Sequence, residues 1–159
     1  MRLILLAALL IPTASSAMQK GGKAPVSDVW KPAATPRGGT PWSVLQATRE
    51  VTRKNADGYI VSKPVFTPQV RSLAGKRITV SGYMMPLDNL GKQKHFVLLA
   101  YPPGCPFHFH ALPNQFIEVV AATPFPLKED RPTIVSGVLQ LVGQNESGIF
   151  YKLVAATPA

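Results

Sequence analysis

The sequence predicts a mainly β protein: a small five-stranded barrel with a short N-terminal helix, placed behind a cleavable export signal. Three observations carry that expectation. The first residues join a lone cation to a short apolar run, five runs rich in β-branched and aromatic residues follow one another beyond Leu73, and Gly82 and Gly137 fall inside two of those runs.

The chain has 159 residues, and after Met1 come Arg2, an apolar run from Leu3 to Ile11, and small residues at Ser15 and Ala17. These are the three parts of a secretory signal, with cleavage expected after Ala17, so 1–17 is read as a signal peptide. A membrane helix needs about 20 apolar residues, and Pro12 with the Ser/Thr cluster stops this run early. Cys105 is the only cysteine. None therefore follows the cleavage site, so a lipoprotein is not expected, and a lone thiol excludes an internal disulfide. No later segment is apolar for long enough to span a bilayer. The expected address is periplasmic or secreted, as a soluble protein.

The formal charge of +9 falls by one, to +8, when Arg2 leaves with the signal. The excess is spread thinly, which suits a solvated surface or attraction to anionic surfaces such as phospholipid head groups. Nucleic acid is not an expected partner, since no recognition motif accompanies the charge.

Residues 18–41 are rich in Pro, Gly, Ala, Thr and Lys, and read as a flexible leader. Residues 42–159 then form one β-rich domain. A short helix is expected over Thr40 to Lys54, with Thr40 as cap, Pro41 at the first position, and Trp42, Leu45 and Val51 as an incomplete apolar stripe. Asn55 to Gly58 are turn formers that end it. The five strands are read at Arg77–Met84, His95–Tyr101, Phe116–Ala121, Thr133–Val142 and Phe150–Ala155. An interior glycine weakens a strand unless the backbone bends or is approached closely there, as in a small coiled barrel. Five antiparallel strands of this kind suit an OB-like barrel, of the oligonucleotide/oligosaccharide-binding type, with a split sandwich as the alternative.

One segment carries metal-ligand chemistry. Between the second and third strands, Cys105, His108 and His110 lie within six residues, bounded by Pro102, Pro103 and Pro113. A thiolate and two imidazoles are ligands for zinc or copper, and the prolines lower the entropy lost on ordering the loop. In an extended chain His108 and His110 point to one side, while Phe107 and Phe109 point to the other. Met84 and His95 are the candidates for a fourth ligand; methionine would suit copper, and histidine either ion. The competing reading makes Cys105 a small buried hydrophobe and the histidines ordinary loop residues.

Catalysis has less support. A thiol nucleophile needs a base and an orienting group, and only Asn114 stands nearby; dithiol chemistry needs a second cysteine that the chain lacks. Glu118 lies in an apolar strand without a carboxylate partner in sequence.

The run Leu73-Ala-Gly75-Lys76-Arg-Ile78-Thr-Val80-Ser-Gly82-Tyr83-Met84-Met-Pro86-Leu87, followed by Phe96-Val-Leu98-Leu99 and a proline-flanked Cys105, resembles the exported bacterial family known as domain of unknown function 3299. The resemblance runs from about Trp42 to the C-terminus. It implies an exported small β domain, in a family sometimes encoded beside transport components linked to metal supply. Where that family often has a second loop cysteine, this chain has His108. The exchange keeps a metal ligand and removes dithiol chemistry.

Together these readings favour a non-enzymatic metal-binding accessory protein for zinc or copper, serving metal transport or delivery with a periplasmic protein or transporter as partner. The alternative is a binding module that recognises a protein or envelope component, its Cys/His loop being structural. A thiol enzyme is the third class. The export reading predicts that the intact mass of protein recovered from the periplasm or medium corresponds to a chain beginning at Met18; retention of residues 1–17 would contradict it.

Overall fold

The computed structural model describes residues 31–103, 111–128 and 131–159. Five of its strands close a barrel: β3 (Arg77–Pro86), β4 (Lys92–Leu99), β5 (Phe116–Pro126), β6 (Thr133–Leu141) and β7 (Tyr151–Pro158). The order around the barrel is β3-β4-β5-β7-β6, and β6 pairs back with β3. All neighbours are antiparallel except β5 and β7, which run parallel. The expected OB-like, five-stranded barrel is what the chain forms, but not with all strands antiparallel as expected: β7 sits between β5 and β6, which makes its pair with β5 parallel.

Alternation along the strands separates an inside from an outside. Ile78, Val80 and Met84 of β3, Phe96 and Leu98 of β4, Ile117 and Val119 of β5, Val135 and Leu139 of β6, and Tyr151 and Leu153 of β7 belong to one buried core. Phe96 and Phe125 meet edge-on within it, with centroids 5.2 Å apart, a geometry that suits the aromatic quadrupole.

Closure depends on β3 changing partner. Arg77 to Gly82 pair with β6, and Tyr83 to Pro86 pair with β4. At the crossover a Cβ on Gly82 would lie 2.7 Å from Leu98 Cγ and 2.7 Å from the Leu99 carbonyl. Only glycine leaves room for that approach, which is the role the sequence suggested for an interior glycine.

The N-terminal part differs from the expectation of one helix over Thr40 to Lys54. The helix α1 covers Trp42–Gln46 only, and Arg49–Lys54 is strand β1, paired antiparallel with β2 (Ile60–Val65). The run Arg49-Glu-Val-Thr-Arg-Lys54 is exposed at every position and holds two β-branched residues. No apolar stripe at helical spacing exists there to pack, so pairing with β2 across the Asn55–Gly58 turn prevails. That turn is stabilised by Asn55 Oδ1, which accepts from the Asp57 and Tyr59 N–H groups. Helix α2 (Pro68–Arg71) follows β2, with the Thr67 hydroxyl accepting from Val70 N–H.

Polar anchors tie α1 to the barrel. The Trp42 indole donates to the Ser81 carbonyl at 2.7 Å. The Tyr151 hydroxyl donates to the Leu45 carbonyl at 2.7 Å and lies 2.6 Å from Thr48 Oγ1. Burial pushes the Tyr151 phenol up to about 12, against the lowering effect of its Thr48 hydrogen bond, so it remains a neutral donor at physiological pH. Part of the segment read as leader is also attached: Ala33 N–H donates to the Ala100 carbonyl, Thr40 N–H to that of Thr79, and Ala33 is buried. No helix among the described residues is long and apolar enough to cross a membrane.

Replacing Gly82 by alanine should cost about 1–3 kcal/mol in urea unfolding, because neither Leu98 nor the Leu99 backbone can yield freely. Gly91→Ala, where an added Cβ meets nothing within 4 Å, should stay within about 0.5 kcal/mol of the parent. Equal effects at the two positions would contradict the crossover argument.

Candidate functional site

The outer face of β3, β4 and β5 is unlike ordinary barrel exterior. Val97, Leu99 and Phe116 form a second buried cluster there, against which Tyr83, Met85, Ala111 and Ile149 pack. Its phase is set in β4, where the register shifts between Gln93 and His95. Gln93 points inward and is fully buried, whereas His95, Val97 and Leu99 follow one another along the outside.

Three polar side chains adjoin this cluster. His95 Nε2 and Glu118 Oε1 are 2.8 Å apart, and Lys152 Nζ lies 3.1 Å from Glu118 Oε2. The residues come from β4, β5 and β7, and Glu118 stands directly opposite Lys152 across the parallel pair. Burial pushes the Glu118 carboxyl up, but hydrogen bonds from His95 and Lys152 and the charges behind them outweigh it and hold the group below its ordinary value. A cleft of about 300 Å³ opens beside the group, lined by Glu118, Lys152, Val142, Ile149, Asn145 and Ser147.

The segment that bears the expected metal ligands leaves this same face. Cys105, His108 and His110 lie outside the described residues. Its base is closed, since the Ala100 N–H donates to the Gln115 carbonyl at 2.9 Å. The returning limb is pinned through Asn114, whose Nδ2 donates to the carbonyls of Gln46 at 3.0 Å and Thr48 at 2.9 Å. Asn114, considered in sequence as an orienter for a thiol, therefore secures the loop to α1.

The two further metal candidates are parted by the sheet. Met84 is 1% exposed and sits in the barrel core opposite Leu98. His95 is on the outer face, where its side chain is 52% exposed. They cannot complete one site, and the methionine on the His95 side of β3 is Met85. Among the described residues, no three His, Cys, Asp or Glu side chains gather in a way that could hold a metal. Lys152 was not singled out from sequence. Its alternation with Tyr151 and Leu153 placed it outside, but its meeting with Glu118 depends on a parallel strand pair that no local pattern reveals.

A family model described as "Protein of unknown function (DUF3299)" matches residues 11–155. Among solved structures, the crystal structure of a DUF3299 family protein from Pseudomonas aeruginosa PAO1 is similar, with 21% sequence identity and a TM-score of 0.48. That match covers 60% of this chain and 67% of the Pseudomonas chain. No curated protein matches the sequence.

Because the folded Glu118 lies below its ordinary value of 4.5, its ionic contacts stabilise the protein above that pH and are lost as pH falls through the lowered folded value. Glu118→Gln should therefore cost on the order of 1 kcal/mol near neutrality, with the gap to the parent closing as the solution is acidified below 4.5. Urea unfolding across that range checks it; a gap that widens in acid would reverse the sign.

Proposed function

The chain belongs to the DUF3299 family, and we propose that this member is an exported metal-binding accessory protein that holds zinc or copper in the connection between β4 and β5. The single observation that supports the reading is the closed base of that connection. The Ala100–Gln115 hydrogen bond and the two Asn114 bonds fix both limbs at one end of the barrel. Three soft or borderline ligands within six residues, Cys105, His108 and His110, are thereby carried on a short tether. Tethering of this kind reduces the ordering cost of bringing ligands to one ion.

The ligand set of the proposal is Cys105, His108 and His110, with the fourth position left to water or to a donor from a partner. Met84 is set aside because its sulfur is enclosed in the core. His95 is set aside because Glu118 engages its Nε2, and because a strand rise of ~3.3 Å per residue separates it from Leu99 by roughly 13 Å. An open fourth position suits an ion that must be passed on, to a periplasmic protein or transporter, better than a closed structural site does.

A second reading is favoured by the cleft beside Glu118 and Lys152 and by the apolar cluster next to it. In it the outer barrel face is a binding surface for a protein or envelope component, and the Cys/His loop is structural. In OB folds the corresponding strands and loops bind ligands, although a fold alone does not assign a function.

Elemental analysis of untagged protein separates the two. The metal reading expects near-stoichiometric zinc or copper that disappears in a folded Cys105→Ser, His108→Ala, His110→Ala variant. Metal-free protein that also takes up neither ion on titration would reject it in favour of the binding-surface reading. Bound metal should also be lost as pH falls, because thiolate and imidazole must be deprotonated to bind.

A further inference from the structure

The β1/β2 hairpin shares no strand pair with the barrel. Its tip carries Tyr59 and Ile60, adjacent in sequence and 70% and 73% exposed. Behind the tip the register alternates charge with apolar surface: Lys54 faces Ile60, Arg53 faces Val61, Lys63 faces Val51, and Arg49 faces Val65. Every basic residue of the two strands thus has an apolar residue as its cross-strand partner. Val51 and Val65 are also exposed. The acids of the hairpin are Glu50 and Asp57, and Glu146 from the connection after β6 bridges Arg53, at 2.7 Å, and Lys63, at 3.6 Å.

We propose that this hairpin docks the protein onto an anionic phospholipid surface, with Tyr59 and Ile60 entering the interface and Lys54, the cation of the strand pair nearest the turn, on the head groups. Interleaved cations and apolar side chains are what an interfacial site needs, since the cations supply attraction to anionic lipid and the apolar groups supply burial at the acyl boundary. A nucleic acid would use the cations but would leave the aliphatic Ile60 and Val51 without a role. The bidentate Arg53–Glu146 pair serves the geometry: it holds the hairpin against the 142–150 connection, so the tip is presented on a fixed base. Tyrosine at such a tip is suited to the head-group region, where its ring is buried and its hydroxyl stays wet.

The test is flotation of the purified protein, its N-terminus established by mass spectrometry, with vesicles of phosphatidylcholine alone or mixed with phosphatidylglycerol. Three proteins are compared: the parent, Tyr59→Ser with Ile60→Ser, and Lys54→Gln. The substituted side chains are exposed, and a circular dichroism spectrum and melting curve matching the parent confirm the fold. The expected result is binding to the anionic vesicles that weakens with salt and falls roughly tenfold or more in the Tyr59→Ser, Ile60→Ser variant and about fivefold in Lys54→Gln, with little binding to phosphatidylcholine. Equal binding to both vesicles, no binding to the anionic ones, or binding unaffected by the tip substitutions would overturn the proposal. Retention on heparin without vesicle binding would overturn it in favour of a polyanion site.

Discussion

The structure depends on one strand having two neighbours in succession. β3 lies against β6 through Gly82 and against β4 from Tyr83 onward, and the barrel closes only because the backbones meet at Gly82 without a side chain between them. The crossover also frees a polar group for use elsewhere. The Ser81 carbonyl accepts from the Trp42 indole, so the short helix is attached where the sheet changes partner. A five-residue helix has little stability of its own. It persists through Trp42 and Leu45, both buried, and through the hydroxyl of Tyr151 from the last strand.

From that closure the division between inner and outer chemistry follows. The β4 bulge turns His95 outward while Gln93 points into the protein, where its Nε2 donates to Asp88 Oδ1 and the Leu90 carbonyl and organises the β3–β4 connection. Among the described residues, Gln93 Oε1 and Asn114 Oδ1 are buried without a protein hydrogen-bond partner. Gln93, at the start of β4, fastens the connection before it, and Asn114 fastens the connection before β5; in each the amide nitrogen makes at least two bonds. Polar fastening of this kind keeps the connections at the ends of the barrel fixed relative to its walls.

Much of the barrel was legible in the sequence because its strands alternate strongly or are continuously apolar. Ile78, Val80, Gly82 and Met84 mark β3 by period alone, and the expected strand cores of β4 to β7 fall within or overlap the observed ones. The β1/β2 hairpin was not legible. Its first strand is fully exposed and polar, and a plausible cap at Thr40 with Pro41 drew the helix too far along the chain. For the site, residue type could nominate Met84 and His95, but only the barrel shows that one faces the core and the other the surface. Glu118 drew notice as an acid in an apolar strand. Its partner Lys152 comes from β7, which reaches β5 through a parallel pairing set by the whole topology.

In this account the barrel is the rigid part, and the connection from β4 to β5 is the functional element it carries. On the proposed reading, a loop tied at Ala100, Gln115 and Asn114 would offer the sulfur of Cys105 and the imidazoles of His108 and His110 to one ion, with the last position exchangeable. X-ray absorption at the metal edge of protein loaded with zinc or copper(I) tests this most directly. The account predicts one sulfur scatterer, at ~2.3 Å for zinc, beside nitrogen ligands at ~2.0–2.1 Å. A coordination shell of nitrogen and oxygen without sulfur would contradict it.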